Sequence, residues 1–318
     1  MKKMLKFFGI IAFVTVIGFG MTACPEEEEE GEKPPAGTLV PGSTLAEKLS
    51  WVLSPANVET GETYVITVDA DESIISSTLS YTSRSKITII LWASESGGEK
   101  FISPSSNGLL FTVGSGVTLV LDNNITLEGR SNNNNALVYV SSGAMEMRDG
   151  AKITGNTTSN YAGGVRVGSN GTFTMNGGEI SGNKTTSVYD YGGGVDIFGT
   201  FTMNSGVISG NTTSGSGGGV YINNGGTFTM NGGEISGNTA SSNGGGVYNN
   251  GTFRIVTGTV YGSNESITSM KNTASSGAAL YANKTAQRGT FSGTTWTSAG
   301  TLTTTNDTIK VEDGELAQ

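Results

Sequence analysis

The side chains in this sequence that could do chemistry are carboxylates and tyrosines, because the chain has no histidine and only one cysteine, Cys24. Without histidine, the chain lacks the commonest general base, the commonest metal ligand and the usual partner of a nucleophilic serine. Glycoside hydrolases can work with acidic residues alone. The search for an active site in this sequence is therefore a search for paired Asp and Glu.

One pair of carboxylates has a regular spacing. Glu179 and Glu234 occupy the same place in two copies of a repeat, and Val207 stands there in the copy between them. Copies that stack as neighbouring strands place these carboxylates about 10 Å apart. Inverting glycosidases use a separation of roughly 6.5–9.5 Å, so surface carboxylates without a catalytic role are the expected interpretation.

A second acidic group consists of Asp190 and Asp196, with Arg166 one repeat earlier. Calcium-dependent polysaccharide lyases cluster several carboxylates beside a basic residue on one sheet, and this chain has fewer. We therefore predict no catalytic residue, no metal site and no cofactor. A lyase or glycoside hydrolase remains the alternative, and it would need a groove that adds distant residues such as Asp69, Asp71 and Asp122.

Tyrosines form the more regular candidate site. Each directly follows an inward apolar residue of the repeat, and Arg166 and Asp196 take this place in two copies. Aromatic rings can stack on sugar rings, or they can simply stabilise neighbouring strands. Both interpretations remain open for this possible ligand-binding face, which consists of Tyr139, Tyr221, Tyr248 and Tyr281.

A row of Thr-x-Thr pairs follows the same repeat. The row resembles the arrays of ice-binding proteins, but threonine also has a high strand propensity. Arg254 interrupts the row in the fourth copy. The pairs are Thr172 with Thr174, Thr200 with Thr202, and Thr227 with Thr229.

The elements that position these residues are repeats of 27 or 28 residues. GTFTMNGGEISGN at 171–183 recurs as GTFTMNSGVISGN at 199–211 and again unchanged at 226–238. Apolar and polar residues alternate within each copy over three short stretches, which indicates short strands separated by Gly, Asn and Ser. One unit cannot bury enough apolar surface to offset its ordering entropy, so units must stack. The pattern predicts an all-β fold, a right-handed single-stranded parallel β-helix with coils of about 27 residues.

Stacking predicts three inward columns of apolar side chains. They are Leu119, Met145, Phe173, Phe201, Phe228, Phe253; Leu121, Met147, Met175, Met203, Met230, Ile255; and Val138, Val165, Val195, Val220, Val247, Leu280. In the earlier, degenerate coils, Ile87 is predicted to lie beside Val117 of the next coil, and Leu110 beside Val138.

Two further features recur with the coils. Asparagines at 156, 183, 211 and 238 end an Ile-x-Gly-Asn turn, and we expect a structural ladder of amides rather than a ligand-binding row. Paired glycines enter the valine strand, and we expect them to adopt positive φ angles. They are Gly163-Gly164, Gly193-Gly194, Gly218-Gly219 and Gly245-Gly246.

The N-terminal region has the features of an export signal. Basic residues, an apolar run and Met21-Thr22-Ala23-Cys24 predict a signal peptide at 1–23 and lipidation of Cys24. An acidic, Pro-containing tether is predicted at 24–42. The remaining 43–318 form one solenoid domain behind it.

Each end of this domain needs a cap, because an open end exposes strand edges. Thr44-Leu45-Ala46-Glu47 fits a capping box, so a helix over 44–53 is predicted to cover the N-terminal end. The coils become irregular from about 262. We expect a terminal coil to close the far end, with apolar residues Phe291, Trp296, Leu302, Ile309 and Val311.

Charge limits the class of partner. The formal net charge is −9. Without the three lysines of the signal peptide, the chain has 15 basic and 27 acidic residues. This balance argues against nucleic acid and against docking on anionic lipid. Contact with a membrane is expected only through the lipid anchor.

The lipoprotein start, the helix at 45–53 and the Gly-Gly-Gly-Val-Tyr and GTFTMNGGEISGN repeats resemble the right-handed parallel β-helix repeat lipoproteins of spirochaetes and gut bacteria. A more distant similarity is to the repeats of chlamydial polymorphic outer-membrane proteins, whose Gly-Gly-Ala and Phe-x-x-Asn motifs echo Gly244–Val247 and Phe173–Asn176. The resemblance implies a pectin lyase-like solenoid, lipid-anchored to the bacterial outer membrane and exposed at the cell surface. It implies adhesion to a glycan or to a host or matrix protein.

Overall fold

The computed structural model describes residues 33–189 and 191–317, and within them the chain winds into a parallel β-solenoid. Successive coils contribute one strand each to the same set of sheets, so neighbouring strands come from residues about 27 apart in sequence. The prediction of an all-β parallel solenoid with coils of that length is confirmed. The expected right-handedness stays a prediction.

Each regular coil contains four short strands, where the sequence pattern predicted three. We number the sheets in the order in which a coil contributes to them. The coil that begins at Thr172 gives Thr172–Met175 to sheet 1, Glu179–Ser181 to sheet 2, Lys184–Thr185 to sheet 3 and Val195–Ile197 to sheet 4. The two-residue strand of sheet 3 lacks apolar alternation, which is why the sequence pattern did not reveal it.

The strands have the following bounds. Sheet 1 contains Thr38–Leu39, Thr63–Thr67, Ile87–Trp92, Val117–Leu121, Ala144–Met147, Thr172–Met175, Thr200–Met203, Thr227–Met230, Thr252–Ile255, Ala286–Ser292 and Thr295–Thr301. Sheet 2 contains Glu72–Ile74, Lys100–Pro104, Ile125–Glu128, Lys152–Thr154, Glu179–Ser181, Val207–Ser209, Glu234–Ser236, Gly258–Val260, Ile309–Glu312 and Glu315–Leu316. Sheet 3 contains Thr157–Thr158, Lys184–Thr185, Thr212–Thr213 and Thr239–Ala240. Sheet 4 contains Ser77–Leu79, Phe111–Val113, Val138–Val140, Val165–Val167, Val195–Ile197, Val220–Ile222, Val247–Asn249 and Leu280–Ala282.

The three predicted apolar columns form the interior. Strand pairing joins their members in the predicted register, and the residues of the regular coils are completely buried. The rings of Phe173, Phe201, Phe228 and Phe253 stack at 4.6, 4.8 and 5.2 Å between centroids. One register in the degenerate coils differs from the prediction: Phe111, not Leu110, pairs with Val138. Leu110 instead donates its backbone N–H to Leu137.

The asparagine ladder is structural, as predicted. Asn183 donates its Nδ2 to the Oδ1 of Asn211 at 3.1 Å and to two backbone carbonyls. Asn211 and Asn238 each donate to the next asparagine of the ladder and to one backbone carbonyl. The ladder also includes two residues that the turn motif did not identify, Asn133 and Asn272. Because these buried amides are occupied by protein partners, the row has nothing left to offer a ligand.

The expectation that the paired glycines adopt positive φ is wrong. In three of the four copies the positive angle belongs to the glycine before the pair, with φ of +74° at Gly192, +75° at Gly217 and +67° at Gly244. The first pair follows Ala162, and there the positive φ lies at Tyr161, at +60°. The pairs are glycine because the coils approach each other closely there. A Cβ on Gly193 would lie 2.4 Å from the carbonyl oxygen of Gly218 in the next coil, a distance that no side chain tolerates.

A helix covers the N-terminal end, as predicted. It spans Leu45–Leu53, and the Thr44 hydroxyl accepts from the backbone N–H of Glu47 in a capping box. Leu45, Leu49 and Val52 are buried against the first coil. Lys48 is also buried, where it donates to the Thr67 carbonyl at 2.7 Å and to the Asp69 carboxylate at 2.9 Å. No helix within the described ranges is long and apolar enough to cross a membrane.

The C-terminal end is closed by antiparallel strands rather than by the predicted terminal coil. Ala286–Ser292 begins as a parallel strand beside Thr252–Ile255 and then turns back as a hairpin with Thr295–Thr301. Ile309–Glu312 runs antiparallel to Gly258–Val260. The apolar residues that cover the last coil are Leu302, Ile309 and Val311, all buried. Phe291, by contrast, is 39% exposed on the hairpin.

Candidate functional site

The predicted tyrosine face lies on the outside of sheet 4. Strand pairing aligns Tyr139, Arg166, Asp196, Tyr221, Tyr248 and Tyr281 at one outward position in six successive coils. The column divides into two parts at Asp196. We call the side that contains Tyr221, Tyr248 and Tyr281, together with Tyr191, the tyrosine ladder.

Rings of the tyrosine ladder stack on each other face to face. Centroids are 4.6 Å apart for Tyr221 and Tyr248 and 5.1 Å apart for Tyr248 and Tyr281, with nearly parallel planes. Tyr191 extends the ladder from a loop, at 4.3 Å from Tyr221. A ring that is stacked on both sides has no free face for a sugar, so Tyr221 and Tyr248 offer only their edges and hydroxyl groups to a ligand.

Burial changes the acidity of these phenols. Tyr221 is 6% exposed, and this burial raises its pKa above the ordinary value, with smaller contributions from Tyr248, Tyr191 and Asp196. Burial also raises the pKa of Tyr248, followed by the effect of Tyr281. Both phenols are therefore neutral at physiological pH, and the ladder presents hydroxyl groups that can donate or accept hydrogen bonds.

Arg166 organises the other part of the column. Its guanidinium lies 3.8 Å from the ring centroid of Tyr161, 5.2 Å from that of Phe198 and 5.4 Å from that of Tyr139, which is a cation–π arrangement. Its Nε is 3.9 Å from the Oδ2 of Asp196. The buried Asp196 in turn accepts from the Nδ2 of Asn223 at 2.5 Å. Tyr139 is thus placed against a cation rather than in the tyrosine ladder.

The loop before Val195 distinguishes one coil from its neighbours. This inserted loop, residues 186–194, has nine residues between the strands of sheets 3 and 4, where the coils on either side have six. Tyr189 is 81% exposed and Val188 is 64% exposed. Tyr191 of the same loop joins the tyrosine ladder, and Asp190 lies outside the described residues. Large apolar side chains are exposed together here, immediately beside the ladder.

Sequence reasoning did not select Tyr161, Tyr189 or Tyr191, because these residues lie in loops outside the repeat. Insertions in repeat proteins map to loops on one face, often the binding face. A comparison of the spacing from the ladder asparagine to the valine, which is nine residues in two neighbouring copies but twelve from Asn183 to Val195, would have identified the inserted loop.

The carboxylates are distributed over several surfaces. Glu179 and Glu234 lie on sheet 2 with Val207 between them, as predicted. Asp69 pairs with Lys48 beneath the helix, and Asp71 accepts from the backbone N–H of Phe101 at 3.0 Å. These four residues do not converge.

Asp122 does belong to an acidic groove on sheet 1, which Glu95, Glu146 and Asp149 also line. Arg148 occupies the centre of this group. Its Nη1 donates to Asp122 and its Nε donates to Glu146, both at 2.7 Å. Two of the four carboxylates are therefore engaged by one guanidinium. Among the described residues, no three Asp, Glu, Cys or His side chains are arranged to hold a metal ion.

Cys24 lies outside the described residues. Comparison of the chain with protein-family models, with curated proteins and with solved structures gives no match.

Proposed function

We propose that this protein is a lipid-anchored cell-surface adhesin that binds an extracellular glycan or a host or matrix protein through the inserted loop and the adjoining tyrosine ladder. The export signal and Cys24 of the sequence support the anchor, with the acidic tether as a spacer between the membrane and the solenoid. The resemblance to bacterial β-helix repeat lipoproteins supports a position at the outer membrane.

One observation carries the proposal: the inserted loop, which is three residues longer than its counterparts in the neighbouring coils, exposes Val188 and Tyr189 next to the ladder. Exposed aromatic residues surrounded by polar groups are characteristic of binding surfaces. The ladder fixes Tyr191 by stacking, so part of the loop is preorganised for contact. Rigid aromatic groups lose little conformational entropy when they bind.

The test is binding of the full-length protein to an array of glycans and extracellular-matrix proteins. Saturable binding is expected, and Tyr189→Ala is expected to weaken it by about tenfold, as truncation of an aromatic residue central to an interface does. Tyr189 is the right residue to change, because the buried Tyr221 would also perturb the stack. Ile267→Ala is the matched control, since Ile267 is 54% exposed elsewhere on the chain.

The same array should be assayed for released reducing or unsaturated sugar ends. Release of product would favour the alternative, a polysaccharide-processing enzyme, and would direct mutagenesis to the acidic groove around Arg148. Binding that Tyr189→Ala and Ile267→Ala reduce equally would contradict a role for the inserted loop.

A further inference from the structure

A second groove on sheet 1 lies between the threonine row and the C-terminal hairpin. We call it the hairpin groove. Its volume of about 730 Å³ lies within the range of roughly 300–1,000 Å³ that is typical of small-molecule sites. The lining residues come from sheet 1 (Thr202, Thr229, Asn231, Val256), from the hairpin (Thr290, Phe291, Gly293, Thr294) and from the C-terminal segment (Asp313).

The hairpin overhangs the threonine row because it continues beyond its pairing with sheet 1. Only Ala286–Arg288 pairs with the preceding coil, and the rest of the hairpin pairs with itself up to a tight turn at Gly293, where φ is +60°. Exposure along the row falls towards the overhang, and Thr229 is only 8% exposed. The row is therefore one side of a cleft and not a flat plane, which disfavours the ice-binding interpretation.

The aromatic wall of the groove is held in place. Trp296 lies over the guanidinium of Arg254 at 5.6 Å and donates its Nε1 to the Oε1 of Gln287 at 3.1 Å. Phe291 packs against Trp296 with 5.0 Å between centroids and a tilt of 58°. Because its neighbour is fixed at two points, the exposed Phe291 ring is positioned before a ligand arrives.

The floor of the groove ends a second amide ladder. Asn231 donates its Nδ2 to Asn204, which donates to Asn176, each at 2.8 Å. The next coil has Val256 at this position, so no ladder amide donates to the Oδ1 of Asn231. The groove thus combines a carboxamide acceptor, threonine hydroxyls on rungs about 4.8 Å apart, and one aromatic ring.

We infer that the hairpin groove binds a neutral oligosaccharide. A sugar has an apolar face that fits an aromatic ring and hydroxyl groups that fit Thr202, Thr229 and Asn231. Charge favours a neutral sugar over an acidic one, because Asp313 lines the groove without a lysine or arginine among the lining residues, and the chain has a net charge of −9. The cleft is open and its lining residues come from successive coils, which suits a chain of sugars.

The test is calorimetric titration of the full-length protein with hexaoses of glucose, mannose, xylose and galactose, and with hexagalacturonate. At least one neutral hexaose is expected to bind, and hexagalacturonate is expected not to bind. Phe291→Ala and Phe291→Leu are each expected to weaken binding by about tenfold, because both remove the aromatic face. Thermal melting checks that these substitutions at an exposed residue leave the fold intact.

A matched control comes from the threonine row itself. Thr202→Val removes a hydroxyl from the groove and is expected to weaken binding, whereas Thr174→Val makes the same change one coil away, outside the groove, and is expected to have no effect. The inference is overturned if no neutral hexaose binds, or if binding survives both Phe291 substitutions. Hexaose binding that Tyr189→Ala abolishes and Phe291→Ala does not would overturn it too, and would assign the glycan to the inserted loop.

Discussion

Two stacks of aromatic rings run along the same solenoid, one inside and one outside. Phe201 lies between two phenylalanines at 4.6 and 4.8 Å, and Tyr248 lies between two tyrosines at 4.6 and 5.1 Å. The similar spacing follows from the register of the parallel strands, which repeats each side chain directly above its equivalent. Stacking in this fold is therefore a consequence of repetition, and it does not by itself indicate a ligand.

What differs between the stacks is their surroundings. Phe201 is completely buried among the other inward columns, while Tyr248 is half-buried on the outer face of sheet 4. The phenylalanine column contributes only to the stability of the fold. The tyrosine ladder adds hydroxyl groups and, through Tyr191, positions the inserted loop.

Phe201→Ala is expected to have the largest effect on stability. Truncation removes two ring stacks and leaves a cavity between coils that cannot move together, so the loss should be about 3–5 kcal/mol. Chemical denaturation monitored by circular dichroism measures it. A loss below about 1 kcal/mol would show that the coils collapse around the cavity, contrary to the rigid packing inferred here.

Tyr248→Ala breaks the outer stack at the equivalent place. It also removes two ring contacts, but the site is open to water and leaves no enclosed cavity. Aromatic pairs contribute about 0.5–1.5 kcal/mol each beyond area burial, so a loss of about 1–3 kcal/mol is expected in the same denaturation experiment. Tyr248→Phe, which keeps the stack, is the control and should retain most of the stability. If Tyr248→Ala lowers the free energy of unfolding as much as Phe201→Ala does, burial does not explain a difference in stability between the two stacks.

The inner column could be predicted from the sequence because identical residues at a fixed period must lie above one another. Predictions failed where the cause is a contact between coils or lies outside the repeat. Gly193 is glycine because of a carbonyl in the next coil, a contact that no single copy reveals. Tyr191 reaches the ladder from an inserted loop, and Phe291 lies on a hairpin that forms where the repeat ends and antiparallel pairing replaces it. The loop and the hairpin depend on tertiary contacts between residues without a common register.

Alkaline pH should distinguish the contributions of the two stacks to stability without truncating either of them, because only the tyrosines ionise. The pKa of Tyr221 is raised in the folded protein by burial and by its neighbours Tyr248, Tyr191 and Asp196, whereas in the unfolded chain it is near the ordinary value of about 10. Below that pH the phenol is neutral in both states and its contribution is fully present. Above it the unfolded chain releases the proton first, which favours unfolding, so stability falls as pH rises. Tyr221→Phe removes the ionisable phenol and with it this loss of stability. The free energy of unfolding of the variant minus that of the wild type should therefore increase between pH 9 and about pH 11. A constant difference across this range would mean that the Tyr221 hydroxyl is as free to ionise in the folded ladder as in the unfolded chain.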